Sequence, residues 1–155
     1  PQTILSVREG EKVKYGLGLN IEQAISDNAG FFFRGMKTDG KTETYAFTEV
    51  DNSLSTGVLF NGKPWGRAKD ALGLSLARSS LSADRRRDLA AGGISFFIGD
   101  GALSYKPETI VEAFYSLQVT KGTWVTADYQ RIANPAYNAA RGPVNVLAVR
   151  FHAEF

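Results

Sequence analysis

Eight polar side chains carry the chemistry that the sequence offers at alternating positions: Arg34, Glu112, Gln118, Asp128, Gln130, Arg150, His152 and Glu154. They mix cations, carboxylates and amides. Such a set can donate to and accept from a hydroxylated solute, and can sort solutes by charge. The alternative is mutual pairing, in which polar residues satisfy one another and touch no solute. His152 is the sole histidine, and cysteine is absent. A multi-histidine metal site, a histidine relay and cysteine-ligated metals are therefore excluded. Carboxylates are plentiful, but nothing fixes a pair at the separation that glycoside hydrolysis needs. Gly16-Leu17-Gly18 mimics part of a nucleotide fingerprint, yet it lies inside a strand pattern with no helix after it. No catalytic residue, cofactor or metal is expected.

The elements that position these residues are strands. In Val144 to Phe155, Leu147, Val149, Phe151, Ala153 and Phe155 share one parity, and Arg150, His152 and Glu154 share the other. A period of two is the signature of a strand with one apolar and one polar face. Similar alternation runs through Thr3 to Glu9, Lys12 to Gln23, Ser53 to Asn61, Leu72 to Ala77, Val111 to Val119 and Val125 to Gln130. Ala29 to Lys37 is also strand-like, but Phe31, Phe32 and Phe33 occupy both parities, which leaves its facing ambiguous. Eight strand segments are thus expected. Ser26-Asp27-Asn28, Gly62 to Gly66 and Lys121-Gly122 read as compact turns, and Asn134-Pro135 and Gly142-Pro143 bracket a longer loop.

Bulk numbers narrow the class. At 155 residues the chain suits one domain, 1–155, or a portion of one. With 22% charged and 43% hydrophobic residues it is not disordered in composition. Eighteen basic against sixteen acidic residues argue against a nucleic-acid partner. No run approaches the roughly 18 apolar residues of a membrane-spanning helix, but a barrel strand needs only about 9–11 residues. Short and long connections alternate, as periplasmic turns and outer loops do in outer-membrane barrels. Tyr15, Phe60, Trp65, Trp124, Tyr129, Phe151 and Phe155 lie near strand ends, where interfacial aromatic girdles sit. The expectation is an all-β fold, a transmembrane antiparallel β-barrel of a Gram-negative outer membrane. Phe155 would lie at the periplasmic end. Expected partners are outer-membrane lipid, lipopolysaccharide and, through the C-terminal strand, the barrel-assembly machinery.

Three stretches carry a more specific likeness: Asp39 to Leu74, Ala90 to Ser116 and Ala127 to Phe155. In order and spacing the chain resembles the C-terminal part of the carbohydrate-selective porin family. Gly66-Arg67-Ala68-Lys69-Asp70 departs mildly from that family's usual turn after Trp65. The resemblance implies passive diffusion of small carbohydrates through a water-filled lumen lined by the eight polar residues. It also implies a sixteen-stranded type of barrel, more than twice this length. The chain is therefore expected to be part of a larger barrel completed by further segments. The alternatives are a small eight-stranded, non-conducting barrel with a structural or assembly role, and a soluble barrel that binds a ligand inside.

Loop residues form a second candidate group. Ser82 is placed to cap a short helix carrying Asp84 and Arg85-Arg86-Arg87, with Gly92-Gly93 ending it. The arginines would form a basic rim or constriction, or else pair with lipopolysaccharide phosphates and nearby acids. Tyr45, Phe47, Tyr105 and Tyr137 are candidates for stacking on sugar rings, or for packing the loops. The apolar run Ile94 to Ile98 is expected to anchor its loop by packing.

Overall fold

The computed structural model describes residues 10–42, 49–93, 95, 98 and 100–155. Seven antiparallel strands follow one another in chain order across a single sheet. They are β1 (Gly16–Ser26), β2 (Ala29–Thr38), β3 (Asn52–Gly62), β4 (Arg67–Ser80), β5 (Glu108–Thr120), β6 (Thr123–Ala133) and β7 (Val144–Ala153). The remaining expected strand, Thr3 to Glu9, lies outside the described residues. Among the described residues the sheet is not closed: β1 and β7 are its two edges, and both are exposed along their whole length.

Every neighbouring pair is a hairpin, so connection length alternates between the two ends of the sheet. Asp27-Asn28, the turn around Lys63–Trp65 and Lys121-Gly122 form the turn end. The connections that follow β2, β4 and β6 leave from the other end, the loop end. β4 is longer than its clear alternation, because Arg67 to Asp70 continue the ladder past a bulge at Asn61 and Gly62. A strand of about ten residues at roughly 3.3 Å each, tilted by about 40°, rises about 25 Å, the height of a lipid-facing band.

Cross-strand register joins the alternating residues into two continuous faces, because directly paired residues point the same way. Ile21, Phe33, Thr56, Leu76, Val111 and Arg131 form one such row on the apolar face. Register also removes the ambiguity of β2. Phe31 and Phe33 pair with Gln23 and Ile21 on the apolar face, and Phe32 pairs with Glu22 on the polar one.

The turn end is tied by Asp70, which is 3% exposed. Tyr115 donates its hydroxyl to Oδ2 of Asp70 at 2.6 Å, and the Gln118 amide donates to Oδ1 at 2.9 Å. Arg67 pairs with the same carboxylate. Trp65 donates its indole N–H to the Tyr115 hydroxyl at 2.9 Å.

The loop end holds the small apolar core, formed by Leu81, Leu89, Ile98 and Tyr137 with Leu103 and Tyr105 against it. Helix α1 (Ala83–Ala90) brings Leu89 to this cluster. Ser82 caps it, its hydroxyl accepting from the Arg85 amide at 3.0 Å. Asp84 sits in the first turn, and Gly92 and Gly93 close the last carbonyls. The capping residues behave as their types require. Of the run Ile94 to Ile98, only Ser95 and Ile98 fall among the described residues, and Ile98 is buried in this core. Among the described residues no helix is long and apolar enough to cross a membrane.

Candidate functional site

Arg34, Glu112, Gln118, Asp128, Gln130, Arg150, His152 and Glu154 all fall on the polar parity of their strands or its continuation. The sheet groups them in two places. Arg34, on β2, stands alone among them. Its guanidinium reaches Oε1 of Glu22 at 2.9 Å and Oδ1 of Asn20 at 3.1 Å, both on β1, and lies 5.5 Å from the Phe32 ring centre. The other seven spread over β5, β6 and β7.

Within that second group pairing is uneven. Glu112 accepts from Ser75 at 3.2 Å and from Gln130 at 3.4 Å. Gln118 lies opposite Trp124, and Asp128 between Phe114 and Ala148. Asp128 is 8% exposed, and neither carboxylate oxygen has a hydrogen-bond partner among the described residues. His152 stands 3.0 Å from Glu154. The Arg150 side chain makes no hydrogen bond or ion pair among the described residues. The mutual-pairing alternative thus describes Arg34 and Glu112 but not Arg150.

A groove of about 260 Å³ runs beside Arg150, lined by Ser116, Trp124, Thr126, His152 and Glu154 as well. Trp124 was expected in an interfacial girdle; register instead places it on the polar face, opposite His152, with ring centres 5.6 Å apart. The signal was present in the sequence, since Trp124 shares parity with Thr126, Asp128 and Gln130. An aromatic plate beside a guanidinium, a carboxylate and an imidazole offers an apolar face and several hydrogen-bonding groups together.

Two phenylalanines also stand on this face, each over a glycine of the next strand. Phe114 lies opposite Gly73 and Phe32 opposite Gly57. A Cβ on Gly73 would lie 2.1 Å from Phe114 Cε1, and one on Gly57 2.5 Å from Phe32 Cε1. The rings lie against the sheet instead of projecting from it, an arrangement only glycine permits.

The loop candidates take three different roles. Arg85 is nearly buried, and its Nε donates to Oδ2 of Asp51 at 3.1 Å. Arg86 lies over the Tyr105 ring at 4.5 Å, and Arg87 is exposed and pairs with Asp84 on its own helix. Tyr105 stacks on Tyr137 with ring centres 6.5 Å apart. Tyr137 is 5% exposed, and its hydroxyl donates to the Glu49 carbonyl at 2.6 Å. Burial pushes that hydroxyl's pKa well above its ordinary value, with the charge of Glu108 adding to the effect. Tyr137 therefore packs the loops and presents no open ring face for a sugar. Tyr45 and Phe47 lie outside the described residues. Asn134, Ala136 and Tyr137 have positive φ, a conformation that costs a non-glycine residue roughly 1–2 kcal/mol. Bonds from Asn134 Nδ2 to the Pro107 carbonyl and from the Ala136 amide to Glu108 hold this corner.

Among the described residues no cluster of three or more His, Cys, Asp or Glu is placed to hold a metal ion. The comparison with curated proteins found no match. A solved structure, the high-pH structure of Pseudomonas putida OprB, is similar with a TM-score of 0.73 at 19% identity. The similarity covers 92% of this chain and 36% of that one, so the chain spans about a third of the length of the porin it matches. At that identity the likeness concerns the fold, a porin-type antiparallel sheet. The sequence model described as carbohydrate-selective porin, OprB family, matches residues 4–155. The chain belongs to that family.

Proposed function

We propose that this chain forms part of the wall of a water-filled outer-membrane channel through which small carbohydrates diffuse passively. The polar face lines the lumen and the apolar face meets lipid. The loop end faces outward and the turn end faces the periplasm. The carrying observation is the separation of the two faces: seven strands in continuous register keep Arg34, Glu112, Gln130, Arg150 and His152 on one side of the sheet. A soluble sandwich gains nothing from an apolar outer surface, whereas lipid requires one.

Transport of this kind needs no reaction. The wall supplies donors and acceptors that replace sugar hydration as the solute passes. Arg150 and Trp124 in the lumen groove are the side chains best placed to contact a sugar, the one by hydrogen bonding and the other by its ring face. Arg85, Arg86 and Arg87 border the outer entrance. Arg85 acts there by holding α1 in place, and Arg86 and Arg87 supply charge. Segments beyond this chain complete the barrel.

Liposome swelling with the full porin that contains this chain tests the reading. Uptake of a neutral monosaccharide should exceed that of an uncharged solute of equal size without hydroxyls. Arg150→Ala with Trp124→Ala should reduce that preference severalfold. Equal uptake of both solutes by the unaltered porin would defeat the sugar-selective reading.

A further inference from the structure

Lys37, Arg78 and Arg131 share the apolar parity, each within three residues of the end of a strand that runs toward the loop end. All are exposed. None makes an ion pair among the described residues. The other residues closing this face at the loop end of β3 to β7 are neutral, namely Asn52, Ser80, Thr109, Ala133 and Asn145. Among the described strands the only carboxylate of this face is Asp70, at the opposite end and bound to Arg67. At the loop end this face thus carries three cations without an ion pair, in company with Tyr129, whereas at the turn end Arg67 is bound to Asp70 beside Phe60 and Trp65.

A second observation lies directly below Lys37. Gly35 precedes it by two residues on the same face, and the missing side chain leaves a groove of about 380 Å³ walled by Leu17, Leu19 and Phe33. A carbon-lined groove with a cation at its outer mouth is shaped for an amphipathic anion. Long basic side chains at a bilayer boundary keep their stems on apolar surface and their charge at the headgroups, where phosphate oxygens are the available acceptors.

We infer that Lys37, Arg78 and Arg131 form a lipid-facing belt that binds the phosphate groups of outer-leaflet lipopolysaccharide, with an acyl chain lying on Gly35 beneath Lys37. The inference rests on the outward orientation of the loop end in the proposed channel. Its occupant follows from the charge of that rim, since three cations of this face without an ion pair lie on the side that faces the phosphorylated glycolipid leaflet.

The test uses the full porin, purified in mild detergent and mixed with lipopolysaccharide, and native mass spectrometry reads the bound lipid. Lys37→Ala with Arg78→Ala and Arg131→Ala should lower retention about tenfold or more, and dephosphorylated lipopolysaccharide should bind the unaltered porin as weakly. Gly35→Leu, which fills the groove and leaves the charges, should lower retention severalfold. Heat-modifiable migration on gels reports barrel folding in the same samples, and the single Arg131→Ala variant serves if the triple one does not fold. Unchanged retention by a folded variant would overturn the belt. Equal retention and equal loss of phosphatidylglycerol would overturn lipopolysaccharide as the occupant. A parent porin that shows no barrel migration would instead overturn the channel reading itself.

Discussion

The guanidinium Nε of Arg85 donates to Oδ2 of Asp51 across 3.1 Å, joining α1 to the loop between β2 and β3. Asp51 is completely buried. The same oxygen accepts from the Ser82 amide at 2.8 Å, and Lys14 stands 3.8 Å from the other oxygen. A buried carboxylate stripped of its main cation is costly, typically by about 3–5 kcal/mol. Arg85→Ala should therefore loosen the docking of α1 by about 3 kcal/mol, read as faster amide exchange across Ala83–Ala90. Arg87→Ala, at an exposed pair, should change exchange little. Equal effects from both would show that Arg85 is only another surface charge.

Phe114 over Gly73 gives a second prediction. Gly73→Ala should destabilise the barrel, because its Cβ meets the ring of Phe114. Removing the ring relieves that clash, so Gly73→Ala with Phe114→Ala should lose less than the two single losses summed. A coupling of about 1 kcal/mol or more in denaturant titrations would support the contact. Strict additivity would show that the ring does not lie over Gly73.

Much of this was legible in the chain, for identifiable reasons. Alternation alone placed Glu112, Asp128, Arg150 and His152 on one side, because side chains in a strand have a period of two. Ser82 capped its helix because a side-chain oxygen there meets an open amide. Long-range partners were not legible. Nothing local to Arg85 indicates Asp51, 34 residues earlier in the chain. The side taken by Phe32 needed the register of β2 against β1 and β3. Trp124 lies next to a turn, as girdle aromatics do, and only its parity with Thr126 and Asp128 gives its place on the polar face. The groove it lines depends on three strands at once, which no single segment records.

Asp100 supplies a pH prediction at the loop end. It accepts from Asn138 Nδ2 at 2.9 Å and from Arg141 at 2.6 Å. These contacts, the Asn138 bond foremost, hold its carboxyl below the ordinary value of 3.8. A depressed carboxylate pKa adds stability above the ordinary value and loses it as pH falls through the lowered one. Residues 134–143 should therefore stay docked at pH 5 and loosen only below about 4, read by amide exchange. Asp100→Asn should remove this acid-dependent step. A step that persists in Asp100→Asn would assign it to another group.

In the proposed channel the polar face meets water and the apolar face meets lipid. The chain contains no cysteine, so single cysteines can be placed at will. In a full porin free of other cysteines, Gln130→Cys, Arg150→Cys, Ala127→Cys and Val149→Cys sample both parities of β6 and β7. A charged, membrane-impermeant thiol reagent is applied while conductance is recorded in a planar bilayer. Gln130→Cys and Arg150→Cys should react and lower conductance, while Ala127→Cys and Val149→Cys should stay unmodified. Reaction at Ala127→Cys and Val149→Cys with Gln130→Cys and Arg150→Cys protected would contradict this orientation of the two faces.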